Sequence, residues 1–278
     1  MKSLTNTFIS TLILSLPAIT EAAPITRSIG GDTTAASIQT TVDQFRADLG
    51  GALNPNVAGS FASGRREINW DGVPEGFSTP NNLPLNFFNA NSPRGAVFAT
   101  PGTAVQVSAN AAIGPVKFGN LNATYPTLFA VFSPQRLFTA IGSNIVDVQF
   151  FVPGSTTPAA TSGFGSVFTD VDLASTTSIQ YFDVNNVSIG TFFAPVDLVP
   201  DGGLSFLGVS FGANIVSRVR ITNGNALLGS NETGGIDLVV MDDFVFGEPQ
   251  RIPEPGTIVL LGAALLGWRF AKMRRLAG

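Results

Sequence analysis

The stretch Val146-Asp147-Val148-Gln149-Phe150-Phe151-Val152 puts Val146, Val148, Phe150 and Val152 on one side of an extended chain, with Asp147 and Gln149 on the other. Successive side chains of a strand point to opposite faces, so a period of two reads as a half-buried β-strand. The same pattern recurs on both sides of it, beginning near Gly95. Ser178 to Phe182 and Ser188 to Phe193 flank Asp183-Val184-Asn185-Asn186-Val187, a hairpin connection. Leu204 to Phe211, Ile215 to Ile221 and Ile236 to Phe246 supply three further strands, the last stopping at Gly247-Glu248-Pro249. No helix-length periodic segment lies between these runs, which disfavours parallel βαβ units. The chain has no repeat of fixed period. The fold class predicted is all-β, an antiparallel β-sandwich or jelly roll.

Upstream of Gly95 one short N-terminal helix is predicted, with Ser37 as N-cap, Ile38, Val42, Phe45 and Leu49 at helical spacing, and Gly50-Gly51 as the stop. Its apolar stripe should pack on the sheet. From Asn54 to Pro101 the chain is dense in Pro, Gly and Asn, and reads as surface loops around a short strand at Ile68 to Trp70.

Composition narrows the chemistry. The 278 residues are 44% hydrophobic with 23 Phe, ample for a single core, while charged residues make up only 12%. Cysteine and histidine are both absent, which excludes disulfides, thiolate chemistry, an imidazole base and an ordinary zinc site. Between residues 23 and 252 there are 10 basic against 17 acidic side chains, a net charge of −7. Such a body is not expected to bind nucleic acid, which needs clustered Lys and Arg.

Both ends read as targeting segments. Met1-Lys2, an apolar stretch from Phe8 to Ile19 and small residues up to Ala22 predict a signal peptide over 1–22. The body is then expected over 23–252 and a C-terminal segment over 253–278. That segment opens with Pro253-Glu254-Pro255 and continues into an apolar run carrying Ile258, Val259, Leu260, Leu261, Leu265, Leu266 and Trp268. It ends in a basic tail of Arg269, Lys272, Arg274 and Arg275. As a helix the 11-residue run would be roughly 16 Å long against a hydrocarbon core of about 30 Å, a marginal span with its positive end left in the cytoplasm.

This order of parts resembles the PEP-CTERM sorting domain of exported Gram-negative proteins. The resemblance implies an exosortase as processing partner, recognising Pro253, Glu254 and Pro255. It also implies export through the inner membrane, a transient anchor there formed by the hydrophobic sorting helix, and a cell-surface or extracellular destination linked to polysaccharide production. The strand around Val239 to Phe246 looks like the closing strand of other sandwich domains that precede this motif.

Within the body four features are candidate sites. Gly208-Val209-Ser210-Phe211-Gly212 has the spacing of a nucleophile elbow, but that motif needs a strand-to-helix turn and a histidine, so a buried strand is predicted. Asp170 and Asp172, read as strand residues on one face about 7 Å apart, are candidate calcium ligands, and Asp183 and Asp242-Asp243 are further carboxylates. Trp70, extended by Tyr125 and Tyr181, is a candidate carbohydrate contact, and Arg65-Arg66 reads as a solvated pair. The reading overall is a non-enzymatic surface or matrix protein with no obligatory cofactor. The alternative is a polysaccharide-active glycoside hydrolase using Asp170, Asp172 or Asp242 as paired carboxylates.

Overall fold

A computed structural model describes residues 23–252. The signal peptide predicted at 1–22, Pro253-Glu254-Pro255, the apolar run and the basic tail lie outside the described residues. Among the described residues the strands are β1 (Ile25–Gly30), β2 (Arg65–Ile68), β3 (Ala96–Ala99), β4 (Ala104–Val107), β5 (Phe138–Ile141), β6 (Ile145–Phe150) and β7 (Ala159–Ala160). They continue with β8 (Gly163–Thr169), β9 (Ser178–Phe182), β10 (Ser188–Phe193), β11 (Leu204–Ser210), β12 (Arg218–Thr222), β13 (Val240–Gly247) and β14 (Gln250–Arg251). One sheet runs β1-β11-β8-β13-β5-β4 with β2 also on β13, the second runs β10-β9-β12-β6-β3, and β14 pairs with β7. The pairings between these strands are antiparallel, as predicted.

The two large sheets share one phenylalanine-rich core. Phe98, Val148, Phe150, Ile179, Tyr181 and Val219 come from the second sheet, and Phe138, Phe164, Phe168, Val209, Phe244 and Phe246 from the first. Alternation is clean in the second sheet, where β12 shows buried Val219 and Ile221 between half-buried Arg218, Arg220 and Thr222. Its outer face is closed by charge, with Asp147 accepting from Arg218 Nη1 at 2.7 Å and from Arg220 Nε and Nη2 at 3.0 and 2.9 Å.

The first sheet is instead buried on both faces. Helix α1 (Ala35–Asp48) lays Ile38, Val42 and Phe45, with Leu49 just beyond its end, over Val167, Leu204, Phe206 and Val245 on the side away from the shared core. Every residue of β8, β11 and β13 is consequently buried. The helix begins two residues before the predicted cap. Thr34 occupies that position, and Ser37 sits in the first turn with its hydroxyl accepting from the Asp32 N–H at 3.1 Å. Glycines let the helix sit close, because a Cβ at Gly165 or Gly208 would strike the Phe45 ring. Arg27 clamps β1 to the helix through two bonds to Asp48, at 2.7 and 3.1 Å.

The stretch predicted as solvated loop holds the most buried charge. Arg66 in β2 is fully buried, not exposed, and its Nε and Nη2 donate to the two carboxylate oxygens of Glu248 at 2.6 and 2.8 Å. Its remaining N–H groups donate to the carbonyls of Pro55, Pro93 and Gly59. All five guanidinium donors are therefore used. Arg65, the other member of the predicted solvated pair, is half-buried and bonds Glu67 at 2.6 Å. Removing one partner of a buried pair strands the other charge and costs about 3–5 kcal/mol. Arg66→Ala is expected to lower unfolding stability by that amount in chemical denaturation, with Arg66→Met/Glu248→Leu losing less than Arg66→Ala alone.

Candidate metal centre

Thr169, the last residue of β8, lies between Leu204, the first paired residue of β11, and Val240, the first of β13. Antiparallel pairing thus gathers one strand exit and two strand entries at one place. The acidic residues beside those ends converge there: Asp170 after β8, Asp201 before β11 and Asp237 before β13. Asp172, Asp197 and Glu232 join them from the adjoining connections.

The predicted pair Asp170 and Asp172 is brought together, but not as residues of one strand. β8 ends at Thr169, and Asp170 takes φ 72°, a left-handed conformation that Asp tolerates better than most residues, so the chain turns there. Carboxylate oxygens of Asp170, Asp172 and Asp197 lie within 4.8 Å of one another, and those of Asp170, Asp201 and Glu232 do likewise. Asp170 belongs to both triads. Its Oδ1 accepts the Gly202 N–H at 2.8 Å, while its Oδ2 is buried with no hydrogen-bond donor.

Backbone donors hold three of the other acids. Asp197 accepts the N–H of Val171 at 3.1 Å and of Val199 at 3.3 Å, Glu232 that of Leu238 at 3.0 Å, and Asp237 that of Asp172 at 3.0 Å as well as the Thr176 hydroxyl. Gly203 is required, since any Cβ there would overlap the Asp197 carboxylate. A cavity of about 370 Å³ lined by Asp201, Glu232, Thr124, Thr127, Asn231 and Thr233 opens beside the second triad.

Crowding shows in the proton affinities. Burial, then the charges of Glu232 and Asp172, push Asp170 up to about 10, and burial, then Asp172 and Asp237, push Asp197 to about 6. Burial, reinforced by neighbouring carboxylates, also raises Asp172 and Glu232, and burial raises Asp237. The charges acting on these groups are all negative, the reverse of an ion-paired network. Asp197, Asp201, Glu232 and Asp237 escape sequence reasoning because only the strand order brings them together. The signal available was Asp201, an acid just before a predicted strand, whereas Asp237 fell inside the strand predicted from Ile236.

The other candidate residues are placed elsewhere. Trp70 is 1% exposed and stacks on Phe138 with centroids 4.1 Å apart, with Phe244 edge-on at 5.0 Å. Its Nε1–H donates to the Asp242 carbonyl at 2.7 Å. It therefore lies in the core with no ring face offered to a sugar, and the predicted strand at 68–70 ends at Ile68, with Trp70 at φ 61°. Tyr125 and Tyr181 are also buried, donating to the carbonyls of Ser230 and Phe164, both at 2.8 Å. Ser210 ends β11, paired with Ile25 and Gly163. Asp242 and Asp243 form a bulge, two residues opposite Val167, from which Asp242 accepts the N–H groups of Phe132 and Ser133 at 2.6 and 3.3 Å. Burial first, then the charge of Asp243, holds Asp242 far above the usual carboxylate range. Asp183 is a turn residue, accepting the N–H of Asn185 and Val187 at 2.9 and 2.8 Å.

The described fold ends on β14, where Arg251 pairs with Ala159. Residues 251–275 match the PEP-CTERM protein-sorting motif. The chain carries a PEP-CTERM sorting signal. The motif marks a secreted protein with a C-terminal anchor that exosortase processes at the membrane. No curated protein matches the chain. Among the described residues no helix is long and apolar enough to cross a membrane.

The role of Trp70 is open to a direct test. Deleting a buried aromatic costs about 3–5 kcal/mol. Trp70→Ala should show a loss of that size in its denaturation midpoint, where an exposed sugar platform would leave stability nearly unchanged.

Proposed function

We propose that this is a non-enzymatic component of the cell surface or extracellular polymer matrix, delivered there by exosortase-dependent sorting. The observation that carries the reading is the sorting-motif match at 251–275, which starts on the residue that closes the fold. From Arg251 to Ile258 the chain advances seven residues, a reach of at most about 25 Å. An anchored molecule would therefore hold its sandwich close against the membrane until the tail is removed. The prolines at 253 and 255 fix φ and resist helix formation, which favours an accessible recognition segment.

The non-catalytic part of the reading rests on the residues themselves. The chain has no histidine or cysteine, and Asp242 is buried with backbone donors on its carboxylate. Asp170 and Asp172 sit in a crowd of acids, not along a cleft walled by aromatic rings of the kind glycosidases use. Contact with polysaccharide, in this reading, falls to a depression of about 440 Å³ lined by Arg46, Asn54, Asn56, Glu67, Asn69 and Arg94 together with Leu53 and Pro55.

Intact mass spectrometry of the protein expressed in an exosortase-bearing host tests the delivery. The wild type should lose residues 1 to about 22 and the apolar tail. Pro253→Ala/Glu254→Ala/Pro255→Ala should keep its tail, and an uncut tail in both would sink the sorting reading. Incubation with host polysaccharide should release no new reducing ends, whereas release abolished by Asp242→Asn or Asp170→Asn would establish the hydrolase instead.

A further inference from the structure

We infer that the carboxylates at the β8, β11 and β13 ends form a calcium-binding centre, with Asp170 as the ligand shared by Asp172 and Asp197 on one side and Asp201 and Glu232 on the other. Two independent observations meet there. One is the donor set: five side-chain carboxylates in two triads, each with oxygens no more than 4.8 Å apart. That separation is one an ion with oxygen ligands at about 2.3–2.6 Å can bridge. The other is the orphan atom. Asp170 is 0% exposed and no N–H or hydroxyl group donates to its Oδ2, and the side chain lies against another carboxylate, that of Glu232, although a buried acceptor is ordinarily satisfied by a donor. The side chain with the unmet acceptor is the one that both triads share.

The chemistry selects among cations. All the ligands are hard oxygens with neither imidazole nor thiolate, which excludes the usual zinc and copper sets. Calcium accepts six to eight oxygens in irregular geometry, whereas magnesium demands a near-octahedral shell and keeps several waters. Ligands drawn from three separate connections, with Asp170, Asp197 and Glu232 held by backbone N–H groups, suit the former. Asp201 is exposed and borders the 370 Å³ cavity with Glu232, which supplies an entry path from solvent. The centre is independent of sorting, because it can be titrated on chain whose tail is uncut.

The experiment is thermal unfolding and calorimetric titration of the full chain in mild detergent, stripped with EDTA and then given CaCl2 or MgCl2. A ligand that binds only the folded state raises the midpoint. At a hundredfold excess over Kd the rise should be about 5 °C or more with calcium and less than half of that with magnesium. Asp170→Asn keeps the Gly202 contact and should abolish the calcium response. Asp201→Asn changes an exposed side chain and should weaken calcium binding at least tenfold with little change in the EDTA midpoint, so it decides the matter if Asp170→Asn fails to fold. Binding of one or of two ions per chain supports the centre. No calcium heat and no midpoint shift in the wild type would overturn it, as would a calcium response that both variants retain in full.

Discussion

The fold depends on one buried charge being completely answered. Arg66 enters the interior from β2, and its bidentate contact with Glu248 joins that strand to the residue following β13. Three carbonyls from the 55–93 region take its remaining donors, and Glu248 in turn accepts from Asn54 Nδ2 at 2.7 Å and from the Phe61 N–H at 3.2 Å. A guanidinium out of water is costly unless its N–H groups find acceptors. The Pro- and Gly-rich loops are therefore held by electrostatics where they have little apolar surface to bury. Trp70, two residues past β2, then lands between Phe138 and Phe244, so polar clamp and aromatic core share one short strand.

Double-sided burial of the first sheet has a second consequence. With α1 on one face and the second sheet on the other, polar groups at its strand centres would lack water. Charge is absent from β8 and β11, is confined in β13 to the Asp242-Asp243 bulge, and gathers at the strand ends and connections. On the outer face of the second sheet arginines answer Asp147, and Arg218 also lies 3.6 Å above the Phe182 ring. At the β8, β11 and β13 ends no such cation among the described residues acts on the acids, and their proton affinities rise together.

The legible part of the sequence was the part written in a period of two. β6, β9, β10 and β12 each have one wet face, so polar residues alternate with Val, Ile and Phe; β9, β10 and their hairpin stand where the pattern puts them, while β6 stops at Phe150, short of Val152, and β12 begins at Arg218, three residues after the predicted Ile215. β13 was harder to bound, because a strand dry on both faces carries no alternation and its predicted start at Ile236 is four residues early. Arg66 and Trp70 were misread for one reason. Local composition said loop, while their partners Glu248 and Phe244 are more than 170 residues away in sequence, where only topology joins them. Of the acidic centre, Asp170 and Asp172 were visible as neighbours, and the other four acids required the strand order.

The same topology decides what the acids do to stability. In the unfolded chain Asp170, Asp197 and Glu232 lie in separate stretches and repel weakly through water and salt. Folding brings them within a few ångströms in a buried place, so the apo centre opposes the native state unless protons or a cation neutralise it. A divalent ion bound there, as inferred above, would reverse the sign of that contribution, since it would bind only the assembled carboxylates and stabilise by mass action. It would also cross-link the connections leaving β8, β10 and β12, which no disulfide can do in a chain without cysteine. A body with such a centre would gain stability wherever a divalent cation is supplied and lose it wherever the cation is withdrawn.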